Sequence, residues 1–544
     1  MFNAKAVVPL PPNEPVKNYA PGSVERTAIK SKLKELCSQQ IEIPLIIDGK
    51  EVRTNETGIC VMPHNHHAVL ATYHKAGEKE VAMAIQAALK AQQKWAAMGW
   101  EERVSIFLKM ADLLAGPWRQ TINAATMLGQ SKNVFQAEID SACELADFFR
   151  FNSYYAMQIF EQQPLYSPLG VWNRLEYRPL EGFVFAVTPF NFSSIAGNLP
   201  TAPAIMGNVA LWKPASSAVY SAYYTMKLFM EAGLPDGVIN FIPGSGNVQG
   251  PVILNSPDLA GIHFTGSTQT FQYMWETVGA NIKSYKNYPR IVGETGGKDF
   301  VFAHSSSSVE ALGVALIRGA FEYQGQKCSA VSRAYIPKSI WPALKDYMIA
   351  QLRTVRMGDV EDFTNLMNAV IDREAYNRIR NYIVNITQSK EAEIIWGGGC
   401  EDSKGYFIEP TVVVITNPQF KTMKEEIFGP VLTIYVYEDS AYEETLRLCD
   451  QTSPYALTGA IFARDREAIG VAQRILVNAA GNFYINDKPT GAIVGQQPFG
   501  GGRASGTNDK AGSMLNMLRW VSPRTIKENF VPVVDYRYPF MEEK

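Results

Sequence analysis

Residues 183–213 read FVFAVTPFNFSSIAGNLPTAPAIMGNVALWK, and they establish the kind of fold to expect. Phe183–Thr188 and Val209–Lys213 are apolar runs of strand length, and the segment 194–206 between them has the length of a helix. The alternation continues with expected helices at 216–232 and 267–279 and expected strands at Val238–Ile242 and Gly261–Thr265. Strand, helix and strand at this spacing predict an α/β fold with a parallel sheet, which binds ligands at the carboxyl ends of its strands.

A second α/β run follows Asp299 and reaches to about residue 515. Its expected strands are Phe300–Ala303 and Ser332–Ile336, and its expected helices are 309–324 and 341–355. Residues 78–163 are helical in pattern, with helices expected at Glu78–Met98, Glu101–Leu114 and Ile139–Glu161. The chain has 544 residues, and one core stops growing near ~250–300 residues, so two or three domains are expected.

Two segments lie outside both α/β runs. Val171–Pro179 and Val531–Tyr538 are rich in Val, Tyr and Arg, and we expect both to be strands. They are either strands that pair across subunits as an oligomerisation arm or simple edge strands.

The composition argues against several classes of protein. The 51 basic and 53 acidic residues are interspersed, so neither nucleic acid nor a membrane surface is an expected partner. The uncharged stretch 182–212 is interrupted by Pro189, Pro200 and Pro203, and no membrane span is expected. Six cysteines without a C-x-x-C pair favour a reducing compartment and argue against disulfides or a zinc site. Met1–Pro15 has no pattern of a leader sequence.

Cys328 is a candidate nucleophile. It stands in Tyr323-Gln-Gly-Gln-Lys-Cys-Ser329, where Gly325 and the polar neighbours predict an exposed turn. The adjacent cation of Lys327 is expected to lower the pKa of the thiol and increase its thiolate fraction. Taken alone, the pattern fits either a nucleophile or a small buried apolar residue.

Glu294 is a candidate general base, in the segment Glu294-Thr-Gly-Gly-Lys298 that precedes the cysteine by 34 residues (328 − 294). The glycines let the backbone approach a ligand closely, and the carboxylate could activate water. The alternative is a solvated glutamate on a surface turn. No segment has the pattern of a Cys–His hydrolase, and the cluster His64–His67 lacks the other ligands of a metal site, so no metal is expected.

The G-x-G-x-x-G dinucleotide fingerprint is absent after the first strand. Two candidates for a phosphate site remain, Gly244-Ser-Gly246 and Phe264-Thr-Gly-Ser267. The second is favoured because a Thr-Gly-Ser turn that enters a helix offers backbone N–H groups and hydroxyls to a phosphate. Lys213, at the end of a strand, adds a cation at the same edge.

Seven motifs together resemble the aldehyde dehydrogenase superfamily over nearly the whole chain. They are Thr188-Pro-Phe-Asn-Phe192, Leu211-Trp-Lys-Pro214, Phe264-Thr-Gly-Ser267, Glu294-Thr-Gly-Gly297, Gly325-Gln-Lys-Cys328, Glu426-Ile-Phe-Gly-Pro430 and Pro498-Phe-Gly-Gly501. The resemblance implies a Rossmann-like NAD-binding domain (1–165 and 182–296), a catalytic domain (297–517) and a β-strand oligomerisation arm (166–181 and 518–544).

The resemblance also implies NAD-dependent oxidation of an aldehyde to a carboxylate through a thioester on Cys328. The Asn191 side-chain amide and the Cys328 backbone N–H would form an oxyanion hole, in which each donor is typically worth ~3–4 kcal/mol. Glu294 would activate the water that hydrolyses the thioester. Lys213 would hold the adenosine ribose and Glu426 the nicotinamide ribose. The residues expected at NAD are Thr188, Lys213, Ser216, Gly266, Ser267, Glu426 and Phe428. Ser216 stands where many relatives have Glu, which leaves room for NADP.

Three further segments, 148–152, 182–192 and 491–510, resemble the branch of the superfamily that oxidises L-glutamate γ-semialdehyde in proline catabolism. This substrate is zwitterionic. The resemblance implies that its α-carboxylate binds the backbone amides of Gly491 and Ala492 and the Ser329 hydroxyl. Phe192 and Phe499 would enclose the aliphatic stem, and Glu144 and Lys327 would shape the charge. Some relatives have Ser at position 492.

The same resemblance implies a homodimer or higher homo-oligomer and transient contact with proline dehydrogenase. It places the protein in the bacterial cytoplasm or, as a mature eukaryotic form, in the mitochondrial matrix. The nearest alternative substrate is succinate semialdehyde or a related acid. A CoA-acylating enzyme is disfavoured because Glu294 is retained, and a non-catalytic structural relative is disfavoured because Cys328, Glu294, Asn191 and Lys213 are all present.

Overall fold

The computed structural model describes residues 6–543, which contain two seven-stranded sheets. In the first sheet, five neighbouring strands are parallel, and an antiparallel hairpin close to the N-terminus extends one edge. The strands of the first sheet, in spatial order, are Arg290–Glu294, Leu259–Thr265, Phe183–Val187, Val209–Lys213, Ile239–Phe241, Leu45–Ile47 and Lys50–Val52.

The second sheet is parallel except for one antiparallel edge strand, Ala392–Trp396. Its strands, in spatial order, are Ala392–Trp396, Thr411–Ile415, Val431–Tyr437, Val331–Pro337, Asp299–Ala303, Thr458–Phe462 and Asn482–Ile485. The remaining strands are Ile41–Ile43, Asn65–His74 and Thr57–Met62 in a small sheet, and the pairs Cys400–Glu401 with Phe407–Ile408, Tyr455–Ala456 with Gly502–Arg503, and Val171–Arg178 with Ser522–Asn529.

Helices cover both sheets. The α-helices are Val24–Cys37, Glu78–Ala97, Trp100–Ala115, Arg119–Gln130, Val134–Ala137, Leu145–Phe160, Ser193–Ile205, Val219–Ala232, Gly246–Leu254, Thr268–Ala280, Val309–Phe321, Trp341–Leu352, Arg373–Thr387, Lys421–Lys424, Tyr442–Thr452, Arg466–Ile475 and Met514–Leu518. Among residues 6–543, no helix has the length and apolarity that a membrane crossing requires.

Side-chain alternation along the central strand Asp299–Ala303 shows why helices lie on both faces of the second sheet. Phe300 and Phe302 pack into one apolar cluster, whereas Val301 and Ala303 pack into another. Successive side chains of a strand point to opposite faces, so a strand that is apolar at both sets of positions needs cover on both sides.

The predicted strands and helices of both α/β runs are confirmed, with small shifts at their ends. The difference that bears on the site is in the helix expected at 309–324, which ends at Phe321. Tyr323 and Gln324 adopt left-handed backbone conformations (φ 51° and 56°) in a short 3-10 turn. Helix propensity does not anticipate this turn, which leads directly into Cys328.

Val531–Tyr538 forms no strand within the described residues of the single chain, so the prediction of a simple edge strand there is wrong. Val171–Arg178 pairs instead with Ser522–Asn529, and the ladder ends where Val171 faces Asn529. Gly170, which precedes Val171, turns the chain there with φ +80°. Within the described residues, the segment that follows Asn529 therefore has no strand to pair with. They leave the ladder as an extended, exposed tail that includes Val531, Val534 and Tyr536.

Candidate active site

The predicted functional residues of the first sheet lie along one edge. Glu294 ends its first strand, Gly266 and Ser267 follow the second, Thr188 follows the third and Lys213 ends the fourth. Because neighbouring parallel strands lie ~4.8 Å apart, this row spans three spacings, on the order of 14 Å. An edge of that length suits an elongated ligand with one end near Glu294.

Cys328 borders a cavity of about 390 Å³. The predicted residues that line it are Glu144, Phe192, Glu294, Lys327, Cys328, Ser329, Gly491, Ala492 and Phe499. The structure therefore brings together the predicted nucleophile, the predicted base and all of the predicted substrate residues, although the sequence separates them by more than 300 positions.

The expectation that Cys328 stands on an exposed turn is wrong. The residue is 9% exposed, and it forms part of the cavity wall. The expectation that Lys327 lowers the pKa of the thiol is also wrong. Burial raises the pKa of Cys328 well above its ordinary value, and the nearby carboxyl groups, with Glu294 first, raise it further. Lys327 pairs instead with Glu322 at 3.4 Å.

The side chain of Glu294 is partly buried at the cavity wall, and burial raises its pKa to about 8, against the opposing effect of the Lys510 ammonium. Within residues 6–543, no group donates a hydrogen bond to its buried Oε1 atom. Gly500 packs closely beside it, because a Cβ at that position would lie 3.2 Å from Oε1. The carboxyl group is therefore mostly protonated at pH 7 and becomes a base as the pH rises towards 8.

Asn191 is held at the start of helix Ser193–Ile205. Its amide Nδ2 donates to the carbonyl oxygen of Gln326 at 3.1 Å, two residues before Cys328. The backbone N–H groups of Ser193 and Ser194 donate to Asp140 at 3.0 and 2.9 Å. These bonds fix the chain on both sides of Phe192 and keep the Asn191 amide beside the cysteine loop.

The part of the cavity predicted to bind the substrate has amino and carboxyl groups on different residues. Lys327 and Lys488 line it near Ser329 and Gly491, whereas Glu144 and Asp147 supply carboxyl groups. Burial and Asp140 raise the pKa of Glu144 to about 8, and the Ser194 hydroxyl donates to it at 2.8 Å. Gly491 has φ +101°, a conformation that favours glycine.

The row along the sheet edge fits a dinucleotide. Among the described residues, the ammonium of Lys213 donates to the Pro214 carbonyl oxygen at 3.4 Å and has no carboxylate partner, and burial lowers its pKa to about 8. Ser267 caps helix Thr268–Ala280 through its hydroxyl, so the N-terminus of that helix opens at the edge. Ser216 lies three residues beyond Lys213, and the Thr188 hydroxyl accepts a bond from the Trp212 indole at 3.0 Å.

Glu426 and Phe428 lie near the cysteine loop. The Glu426 carboxylate accepts a hydrogen bond from the Gly297 backbone N–H at 2.8 Å, and burial raises its pKa to about 7. Phe428 has φ 55° and packs edge-to-face against Phe190, with ring centroids 5.7 Å apart. A buried carboxylate and a fixed aromatic ring are groups that a ribose and a planar ring would contact.

Several residues of the site were not foreseen from the sequence. Asp140 pairs with the buried ammonium of Lys132 at 2.6 Å, and this ammonium lies 4.4 Å from the centre of the Phe192 ring. The hydroxyl of Thr490 lies 2.8 Å from that of Ser329. Ser329 and Thr490 are far apart in the chain, and although Lys132 and Asp140 are only eight residues apart, nothing in that segment indicates the contact of Lys132 with Phe192. Thr490 directly precedes the predicted Gly491, and that adjacency could have drawn attention to it.

Two mostly parallel sheets covered by helices, with a buried cysteine and a glutamate at one cavity, indicate the class of enzyme to which the chain belongs. A model of the aldehyde dehydrogenase family matches residues 52–525, and the chain belongs to this family. It is 53% identical over 540 residues to the mitochondrial delta-1-pyrroline-5-carboxylate dehydrogenase of Dictyostelium discoideum, covering 99% of this chain and 97% of that protein.

Solved structures agree with this relationship. The delta-pyrroline-5-carboxylate dehydrogenase of Mycobacterium tuberculosis, crystallised with NAD, superposes with a TM-score of 0.96 at 52% identity and full coverage of both chains. Proline utilization A from Bdellovibrio bacteriovorus superposes with a TM-score of 0.90 at 27% identity, covering 96% of this chain and 53% of that one.

Proposed function

We propose that the protein oxidises L-glutamate γ-semialdehyde, formed from Δ1-pyrroline-5-carboxylate, to L-glutamate with NAD in proline degradation. The observation that carries this proposal is the cavity that Cys328 and Glu294 share with groups of opposite charge. A zwitterionic aldehyde needs donors for its carboxylate, a carboxylate for its ammonium group and a nucleophile for its carbonyl carbon. The relatives named for this activity match the chain over nearly its whole length.

Cys328 is the nucleophile of this proposal. Its sulfur forms a bond to the aldehyde carbon, while the Asn191 amide and the Cys328 backbone N–H stabilise the oxyanion. The raised pKa of the thiol means that its proton must pass to a nearby base as the bond forms. Glu294 has a pKa near 8 and lies in the same cavity, and it activates the water that cleaves the thioester.

The substrate is held at both of its charged ends. The backbone amides of Gly491 and Ala492 and the Ser329 hydroxyl bind the α-carboxylate, with the positive charge of Lys327 on the same wall. Glu144 is the carboxyl group available to the ammonium group. Phe192 and Phe499 enclose the aliphatic stem. Ala492 offers its backbone amide to this site and no hydroxyl.

NAD is the cofactor, and it supplies the acceptor for the hydride that leaves the substrate carbon. Lys213 holds the adenosine ribose, and Gly266 and Ser267 bind the pyrophosphate region at the start of helix Thr268–Ala280. Glu426 holds the nicotinamide ribose. Thr188 and Phe428 complete the site. Ser216 carries no charge that would repel a 2′-phosphate, so NADP is a second cofactor that the site admits.

The remaining proposals concern organisation. Residues 1–165 and 182–296 form the NAD-binding domain, 297–517 form the catalytic domain, and 166–181 with 518–544 form an oligomerisation arm. The exposed apolar residues of the arm, such as Leu169, Val533 and Val534, support a homodimer or higher homo-oligomer. The match to about half of proline utilization A supports transient contact with proline dehydrogenase. Mitochondrial and bacterial relatives support either the matrix or the bacterial cytoplasm as the compartment.

NADH production from Δ1-pyrroline-5-carboxylate, compared with succinate semialdehyde and butanal, tests the proposed function. We expect kcat/KM to be highest with the first substrate, because the other two have no ammonium group for Glu144. A higher kcat/KM with succinate semialdehyde would refute the substrate assignment and retain the family chemistry. A parallel assay with CoA, in which free glutamate remains the product, tests hydrolysis by water.

A further inference from the structure

The N-terminal strap (residues 6–20) crosses the helices beside the cavity without forming a helix or strand of its own. Two carboxylates hold its backbone. The N–H of Lys17 donates to Glu138 at 2.8 Å, and the N–H of Glu14 donates to Asp147 at 2.7 Å. The side chain of Tyr19 also donates to Glu138, at 2.7 Å. These contacts keep the strap in one place over a stretch with no sheet or helix to support it.

The strap forms part of the cavity wall. Asn13, Glu14 and Val16 line the same cavity as Cys328. Glu14 pairs there with two arginines, Arg119 at 2.6 Å and Arg150 at 2.7 Å, so its charge is already matched. Asn13 is the neutral polar side chain of this group.

Asn13 joins the strap to the carboxylate loop (490–497), which contains Gly491 and Ala492. Its Nδ2 atom donates to the Val494 carbonyl oxygen at 2.8 Å and to Asp147 at 2.8 Å. Its Oδ1 atom accepts a hydrogen bond from Gln496 at 2.9 Å. One amide side chain therefore ties three separate segments of the chain together.

The carboxylate loop has few other supports. It lies between strand Asn482–Ile485 and the next short strand, and Gly491 and Gly495 both have positive φ. At its beginning, Thr490 is fixed by the hydroxyl of Ser329 at 2.8 Å. Asn13 fixes the other end. The two backbone amides proposed to bind the substrate carboxylate lie between these two attachments.

We infer that Asn13 is a positioning residue that sets the carboxylate loop for binding, so that selectivity for a carboxylated aldehyde depends on the N-terminal strap. This inference rests on the proposed function. Without the Asn13 amide, the Val494 end of the loop loses both of its side-chain contacts to the strap. The amides of Gly491 and Ala492 then sample more positions, and the carboxylate binds less tightly, while the reaction at Cys328 is unaffected.

The test compares Asn13→Ala with Asn18→Ala in the full-length protein. Asn18 is on the same strap but exposed, and among residues 6–543 its side chain accepts one hydrogen bond, from the Ala20 backbone N–H. For Asn13→Ala we expect KM for glutamate γ-semialdehyde to rise about tenfold, the effect of losing one charge-assisted hydrogen bond. We expect kcat with that substrate, and kcat/KM with butanal, to stay within about twofold of the wild-type values, the spread of ordinary surface substitutions. Asn18→Ala should match the wild type throughout.

Hydrogen exchange of the amides in 491–496 gives a readout that needs no substrate. We expect faster exchange in Asn13→Ala and a smaller increase in Gln496→Ala, which removes one bond from the side of the loop and keeps the strap intact. Unchanged exchange together with an unchanged KM in Asn13→Ala would overturn the inference, as would a loss of butanal oxidation equal to the loss with the carboxylated substrate. A wild-type enzyme that does not prefer glutamate γ-semialdehyde would instead refute the proposed function. The hydrogen-exchange data would then still show whether Asn13 restrains the carboxylate loop.

Discussion

The carboxyl group of Glu294 and the thiol of Cys328 border one cavity, and the charge of the first raises the pKa of the second. Burial is the larger cause of the raised pKa of each group, and the interaction between them adds to it for the thiol. Without substrate, both groups therefore stay protonated up to a higher pH than the same groups would in water.

Replacing Cys328 with Ala removes the atom that bonds the substrate. We expect turnover to fall to below about a thousandth of the wild-type value, as is typical when a covalent nucleophile is lost. The cofactor residues are on other segments, so NAD affinity, measured by calorimetry, should stay the same. Appreciable NADH production by Cys328→Ala would contradict the assigned role.

Replacing Glu294 with Gln preserves the shape of the side chain and removes the base. We expect a burst of about one NADH per active site followed by slow turnover, since general bases contribute ~10²–10⁴-fold to rate. Stopped-flow fluorescence of NADH separates the two phases. If the burst itself disappeared, Glu294 would act before hydrolysis, as the acceptor of the thiol proton.

Activity should depend on pH through Glu294. Its pKa is raised to about 8, so the base form is the minority at pH 7 and becomes the majority above pH 8. We expect the steady-state rate to increase between pH 7 and pH 9. In Glu294→Gln the slow steady-state rate should lose this rise, and a wild-type rate that is flat across the range would contradict the assignment.

A substitution of Thr490 tests the attachment at the beginning of the carboxylate loop. Its hydroxyl lies 2.8 Å from that of Ser329, and Thr490→Val removes this bond at nearly constant volume. We expect KM for glutamate γ-semialdehyde to rise about threefold to tenfold, the effect of one hydrogen bond, with little change for butanal. Thr445→Val is a matched control, because that buried hydroxyl bonds within its own helix, at 2.7 Å from the Ala441 carbonyl oxygen. Equal KM values in the two variants would show that the Thr490 contact has no part in substrate binding.

A substitution in the exposed tail, Val531–Tyr538, tests the proposed homo-oligomer. Val534 is 99% exposed, and burying one valine side chain against a partner stabilises the contact by roughly 1.5–3 kcal/mol. We expect Val534→Asp to shift the protein towards smaller species in analytical ultracentrifugation. Val24→Asp, at a residue 83% exposed on the first helix, is the control. A wild-type protein that sediments as a monomer would rule out the oligomer.

The linear sequence was sufficient for the parallel strands of the two sheets, and its motifs made Cys328 and Glu294 the candidates for the active site. Apolar runs such as Val209–Lys213 alternate with helices, and this periodicity is a local property that each segment carries by itself. The short motifs around Asn191 and Glu426 are local as well, so they could be found without knowing what surrounds them.

Only the tertiary structure shows which groups surround those residues. The burial that raises the pKa of Cys328 and the bond from Asn13 to Val494 depend on segments far apart in sequence, and even the ion pair between Lys327 and Glu322 depends on the left-handed turn between them. The tail at Val531–Tyr538 has the composition of a strand but no neighbouring edge to pair with. Burial, charge pairing and strand pairing depend on neighbours in space, and a one-dimensional pattern does not record which neighbours a residue will have.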